Sequence, residues 1–129
     1  MELYNKKVLS IFRNPKNMGE MKNPDGTGVA GNPVCGDVLK LYIKVKNNKI
    51  VDAKFQTLGC IAAIASSSIV TEMAKGKDIE YAKKITSSDV EKKLGGLPAI
   101  KRHCSNLGAE ALKKAIEDYE KKLKRKKYK

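Results

Sequence analysis

The chain has no tryptophan, a single histidine and only three cysteines, and its acidic residues number about half its basic ones, 14 against 27. Each scarcity excludes something. Aromatic residues make up 5% and no nucleic-acid motif is present, so there is little on which bases could stack. Binding of DNA or RNA is therefore the weakest reading of the +13 formal charge. Apolar runs are only a few residues long, which leaves nothing to span a membrane. Met1, Glu2, Leu3 and Tyr4 do not start a secretory leader, having no basic region followed by an apolar stretch. An odd, widely spaced set of cysteines argues against a disulfide framework and for a reducing compartment, so the expected location is cytoplasmic. The length suits one domain, residues 1–129.

What is present is concentrated. All three cysteines and the histidine fall in Cys35-Gly36-Asp37, Gly59-Cys60 and His103-Cys104. Thiolate, imidazole and carboxylate together are the ligand set of a tetrahedral zinc or iron-sulfur site, and thiolates also carry sulfur chemistry. Singly, each has a duller explanation, because a free cysteine often just fills space and a lone histidine is more often hydrogen-bonded than ligating. Their joint placement at the ends of elements is what points to a site.

Along the chain, residues 3–13 place Tyr4, Val8 and Ile11 or Phe12 on one helical face. Asn14-Pro15 ends that helix. From there to Pro33 the chain is rich in Asn, Gly and Pro, which predicts a flexible, irregular segment with a short strand near residues 28–30. Residues 38–45 alternate, with Leu39, Leu41, Ile43 and Val45 against Lys40, Tyr42 and Lys44. A second strand over 51–57 sets Val51, Ala53 and Phe55 against Asp52, Lys54 and Gln56. A two-residue loop would turn Asp52 toward the core. A three-residue loop, Asn47 to Lys49, keeps the apolar faces together, and a one-residue slip flips every side chain. The three-residue loop is therefore expected, with a left-handed residue in it. That register sets Asp37 opposite Gly59 and Gly36 opposite Cys60, so Cys35, Asp37 and Cys60 meet at the open end of the hairpin.

Residues 61–75 read as a helix ended by Gly76, with Ile61, Ala65, Ile69 and Met73 on one face. Its serines pack closely rather than act as nucleophiles, since no second histidine is available to activate one. Short helices follow over 78–84, started by Asp78, and 88–94, capped by Ser87 or Ser88. Gly95-Gly96 breaks the pattern, and residues 97–101 are extended. A long helix over 105–124 carries the stripe Leu107, Ala111, Ala115, Tyr119 and Leu123, flanked by Leu112 and Ile116. His103 and Cys104 lie just ahead of it or in its first turn, where the helix dipole favours thiolate. The basic tail, residues 121–129, reads either as a solvated helix end or as a docking surface for an acidic protein. The fold expected is an α/β (α+β) sandwich: an antiparallel sheet of about three strands packed against helices, with a long C-terminal helix.

Three segments in order resemble the iron-sulfur cluster assembly scaffolds of the IscU and NifU N-terminal type. They are Gly31-Asn32-Pro33-Val34-Cys35-Gly36-Asp37-Val38-Leu39-Lys40-Leu41, Thr57-Leu58-Gly59-Cys60-Ile61-Ala62-Ala63-Ile64-Ala65-Ser66-Ser67-Ser68, and Leu97-Pro98-Ala99-Ile100-Lys101-Arg102-His103-Cys104-Ser105. The resemblance implies a non-enzymatic scaffold on which a transient [2Fe-2S] cluster is built from iron and persulfide sulfur and then passed to apoproteins. By the same resemblance Cys35, Asp37, Cys60, His103 and Cys104 hold the metal or cluster, and Cys104 receives persulfide from a cysteine desulfurase. Frataxin and a ferredoxin assist in many such systems, and zinc often occupies the isolated protein. Leu97, Pro98, Ala99, Ile100 and Lys101 match the segment read by an Hsp70-type chaperone, with Ala99 and Ile100 where the usual form has a proline and a valine. The SufU type, a zinc-bound persulfide relay, is the alternative. It lacks the histidine and carries an insertion before its last cysteine, whereas this chain has His103 and no evident insertion.

Overall fold

The alternating runs form the sheet that everything else packs on. In the computed structural model the described residues are 4–32, 37–59, 61–96 and 103–127, with the side chains of 32, 37, 103–105 and 125–127 excepted. Strands β1 (Gly26–Asn32), β2 (Asp37–Lys46) and β3 (Lys49–Leu58) make an antiparallel sheet in the order β1-β2-β3. Helices α1 (Lys6–Arg13), α2 (Ile61–Ala74), α3 (Ile79–Lys83), α4 (Ser87–Leu94) and α5 (His103–Lys127) complete the sandwich. Leu39, Leu41, Ile43, Ala53, Phe55 and Ala30 are buried in one core cluster with residues of α1, α2, α4 and α5. The expected three-stranded sandwich with its long last helix is what the chain forms.

The hairpin resolves the loop-length question differently from the expectation. Pairs from Val38↔Leu58 to Lys44↔Asp52 keep the predicted register, but Val45 then pairs with Ile50 and Lys46 with Lys49. The loop is thus two residues, Asn47 and Asn48, both at positive φ (53° and 63°), a combination that suits the right-handed twist of a hairpin. A register shift between Lys44 and Val45 reconciles the two demands, since β3 spends one extra residue, Val51, in a bulge. Val51, assigned to the apolar face, is instead 52% exposed, and Ile50 takes the core position.

The segment before β1 is irregular, as its composition implies, yet anchored along its length. Ser68 Oγ accepts from Lys16 N at 2.9 Å and donates to Lys16 O at 3.1 Å, and Asn17 Nδ2 donates to Thr71 Oγ1 at 3.0 Å. Gly19 N donates to Phe55 O at 2.8 Å and Phe55 N to Asn17 O at 2.9 Å, so residues 17–19 line the outer border of β3. Ile50, nearer the hairpin, exchanges bonds with Lys77 O (2.9 Å) and Gly76 N (2.7 Å) on the same border. Strand β1 itself is seven residues, longer than expected.

Helix boundaries shift for local reasons. α1 begins only after Asn5, whose side chain caps Val8 N. α4 is capped by Thr86 rather than by Ser87 or Ser88, because Asp89 three residues on closes a capping box with it. α2 is buried nearly all round: Ala62, Ala63, Ser66, Ser67, Val70, Thr71 and Ala74 are covered, whereas Ile61, Ile69 and Met73 of the expected face are only partly so. It is hemmed in by β3, α1, α4 and α5, and small residues let all of them approach. Two of its hydroxyls donate within the helix, Ser67 Oγ to Ala63 O and Thr71 Oγ1 to Ser68 O, while Ser68 Oγ turns to Lys16.

The tightest seam joins β1 to α5. A Cβ on Gly28 would lie 2.1 Å from Ala111 O, and one on Gly26 would lie 2.2 Å from Ala115 O, so backbone meets backbone there. Asp118 fastens the same seam, accepting from Thr27 N at 2.9 Å and pairing with Lys122 at 3.2 Å. Burial pushes the Asp118 carboxyl up, but the Thr27 N–H, the Lys122 hydrogen bond and the charges of Lys122 and Lys121 outweigh it and leave the group below its ordinary value. A depressed carboxylate contributes stability above its unfolded-state pKa, and that contribution is lost as pH falls through the folded value. Asp118→Asn is therefore expected to melt below the parent at pH 7, with the gap closing as pH falls below 3.8, the ordinary value, in a pH series of melting curves.

Candidate functional site

Four element ends gather at one end of the sheet. Asn32, the last residue of β1, pairs with Asp37, the first of β2, and next to it Val38 pairs with Leu58, the last of β3. Gly59 is an exposed bend, and α2 starts at Ile61. The fourth is the start of α5, which runs antiparallel to β1. Gly26 lies against Ala115 and Tyr119, and Gly28 against Ala111 and Ala115. Two strand residues advance about 6.6 Å and four helical residues about 6 Å, so Asn32 falls level with the first turns of α5.

The helices meeting this end are also held together. A Cβ on Gly108 would be 2.8 Å from Val70 Cγ2, a close approach of α5 to α2 within three turns of either start. Neither helix has an acidic residue in its first turn. No carboxylate of their own first turns therefore offsets the partial positive charge of the two N-termini, a field that favours anions and thiolates.

Of the five predicted site residues, Asp37 opens β2, and His103 and Cys104 lie in the first turn of α5, whose start precedes the expected residue 105. Cys35, Cys60 and Leu97, Pro98, Ala99, Ile100 and Lys101 lie outside the described residues, as do the side chains of Asp37, His103 and Cys104. Among the described residues no group of three or more His, Cys, Asp or Glu side chains could hold a metal. None of the described helices is long and apolar enough to cross a membrane.

One surface feature at this end escaped the sequence reading. Val29, 50% exposed, and Leu58, 75% exposed, stand with half-buried Val38 on the face of the sheet away from the helices. Their signal was available in the alternation, because Val38 and Leu58 occupy the phase that Lys40, Lys44 and Lys54 fill further along. Val38 and Leu58 are directly opposed, so they form a contiguous apolar patch rather than scattered single residues, the arrangement that marks contact surfaces.

Comparison with known proteins follows the same lines. A family model described as the NifU-like N-terminal domain matches residues 3–126. The iron-sulfur cluster assembly scaffold protein IscU 1 of Archaeoglobus fulgidus is 60% identical over 117 residues, 91% of this chain and 76% of that one. A Rickettsia prowazekii protein also named as an IscU scaffold is 50% identical over 128 residues, covering 96% of this chain and 97% of its own. Among solved structures, the N-terminal NifU-like protein of Brucella abortus superposes with a TM-score of 0.72 at 22% identity, over 93% of this chain and 96% of that one, a likeness of fold.

Proposed function

This chain belongs to the NifU-like N-terminal domain family, and on that premise we propose that it is a scaffold rather than a turnover enzyme, building a labile [2Fe-2S] cluster and releasing it to apoproteins. The observation that carries the reading is the convergence of the ends of β1, β2 and β3 with the start of α5, the elements that flank every cysteine. Cys35, Asp37, Cys60, His103 and Cys104 are then the candidate ligands of iron and of the finished cluster, which is cargo. Zinc fits the same donors. A permanent cluster wants four thiolates, whereas three thiolates with a carboxylate or imidazole give a harder, weaker fourth bond. Five donors for four positions also let one cysteine leave while iron stays bound.

Cys104 is the proposed sulfur acceptor. Its thiolate attacks the outer sulfur of a desulfurase persulfide, a new S–S bond forms on Cys104, and the desulfurase cysteine departs as thiolate. Sulfide then requires two electrons per sulfur, the task of a ferredoxin-class donor, with frataxin as a further assistant. The exposed Val29 and Leu58, with half-buried Val38 beside them, suit a docking protein such as the desulfurase. Leu97, Pro98, Ala99, Ile100 and Lys101 are the proposed Hsp70-type chaperone segment, and the cytoplasm the proposed setting.

Anaerobic incubation with ferrous iron, cysteine, a desulfurase and a reduced ferredoxin-class electron donor is expected to give a visible sulfide-to-iron charge-transfer band. Sulfur uptake without any band would replace this reading by the zinc-bound persulfide relay. In the same assay Asp37→Ala should lengthen cluster lifetime on the order of tenfold, equivalent to about 1.4 kcal/mol, because the exchangeable hard ligand is gone. An unchanged transfer rate to an apoprotein would contradict this account of lability.

A further inference from the structure

The end of the molecule opposite the strand ends that flank the cysteines is built from three separate stretches. The hairpin tip is tied to the start of α3: Ile79 N donates to Asn48 O at 3.0 Å, and Ile50 N to Lys77 O at 2.9 Å. α3 in turn is tied to α5 by Lys83 Nζ and Glu120 Oε2, 2.9 Å apart. Gly26, the start of β1, lies against Ala115 and Tyr119, so the rest of α5 runs past the sheet at this same end. Lys46, Lys49, Lys77, Lys121 and Lys124 are exposed here, and among the described residues none of them is paired with a carboxylate. Neighbouring acids are engaged within the fold. Asp25 Oδ2 accepts from Val45 N at 2.8 Å, Asp78 Oδ1 accepts from Tyr81 N at 2.7 Å, and Glu80 and Glu120 share Lys83. The helix then continues through Arg125, Lys126 and Lys127.

This charge is arranged at a cost to the fold. Lys46 pairs directly with Lys49 across the hairpin, and Lys121 precedes Lys124 and Arg125 by one helical turn, placements in which like charges repel. Within the lysine field two apolar side chains lie uncovered, Tyr81 at 49% exposure and Leu123 at 42%. An aromatic and a leucine ringed by polar groups have the anatomy of a protein interface. We propose that the hairpin end is a docking pole for a protein with an acidic surface, whose carboxylates meet the lysines and whose apolar centre meets Leu123 and Tyr81. Nucleic acid fits less well. Lys77 Nζ already stands 5.4 Å over the Tyr81 ring, where a base would stack, and Leu123 offers nothing to a phosphate. Lysine ammonium groups attract as point charges without the planar fork of arginine, which suits a fast, reversible contact. The ten residues of β2 set the pole about 30 Å from the assembly end. A protein held there leaves that end open, so the scaffold reading gains a second interface, separate from the patch at Val29 and Leu58.

Binding is measured on the full chain, reduced and metal-free, with a glutamate-rich helical peptide carrying leucines on one face and with an RNA hairpin as the rival polyanion. A pole variant combining Lys46→Gln, Lys49→Gln, Lys121→Gln and Lys124→Gln is set beside a control of equal charge, Lys6→Gln, Lys7→Gln, Lys92→Gln and Lys93→Gln, on α1 and α4. The pole variant is expected to lose roughly tenfold or more in peptide affinity and to bind with a shallower salt dependence, while the control stays within about threefold of the parent. Leu123→Ser should weaken the peptide and leave the RNA unchanged. Equal losses in the two lysine variants would reduce the pole to net charge and overturn the proposal. So would RNA held more tightly than the peptide through the same lysines, or peptide binding indifferent to Leu123. None of these readouts needs iron or sulfur, so a chain that binds the peptide at the pole yet forms no cluster would keep the pole and lose the scaffold reading.

Discussion

Cys104→Ser is expected to lower persulfide uptake from a cysteine desulfurase by about a hundredfold or more, because a serine hydroxyl stays protonated where a cysteine presents thiolate. The position favours thiolate on two counts: it lies in the first turn of α5, and that turn carries no acidic residue to compete for the helix dipole. The substitution changes one atom and leaves the seam between β1 and α5 intact, so folding should be unaffected. Single-turnover transfer, read as the mass of one added sulfur on the scaffold, separates uptake from assembly. Uptake at the parental rate would move the accepting role to Cys35 or Cys60. A variant that accepts no sulfur yet still binds zinc through the remaining donors would support the division of labour proposed above.

Gly28→Ala is expected to be the most damaging small substitution in the sheet. The added Cβ would meet Ala111 O at 2.1 Å and Ala115 N at 2.5 Å, and both are backbone atoms that cannot rotate aside. Either β1 or α5 must move. Overpacking of that kind costs about 3 kcal/mol or more, a large share of a total stability of roughly 5–15 kcal/mol. The urea midpoint should fall with little change in the denaturant slope. Val29→Ala, one residue along on the exposed face, should cost no more than about 0.5 kcal/mol and leave the midpoint nearly unchanged. Equal midpoints for the two variants would show that the seam yields. The functional penalty should exceed the loss of fold, because β1 leads into Cys35 and α5 opens on His103 and Cys104, and a displacement of one against the other separates the proposed ligands.

Local pattern carried the sequence reading far, and its failures are non-local. The strands, the pairing of Val38 with Leu58 and the start of α5 near His103 followed from alternation, helical spacing and turn residues. The loop was misjudged because register and loop length were treated as rivals, whereas a bulge at Val51 satisfies both. Thr86 was passed over for the adjacent serines although Asp89 supplied the capping-box spacing. α2 defeated periodicity because small residues are buried around most of its circumference and its less covered side carries Ile61, Ile69 and Met73 rather than a row of charges. Gly26 and Gly28 gave no sign of the helix they admit, since only the fold brings Ala111 and Ala115 against them. Anchoring of the segment before β1 through Lys16 and Asn17 likewise depends on partners more than fifty residues away.

The border of β3 has a consequence for behaviour at high concentration. Phe55 and Ile50 spend their outward amides and carbonyls on residues 17–19 and 76–77, so a second molecule meets an interrupted ladder there on which to lay a strand. The opposite border of the sheet is β1, where Asp118 already occupies the Thr27 N–H. Heating or truncation that strips residues 17–19 from the sheet should therefore be what turns a soluble preparation toward fibrous self-association.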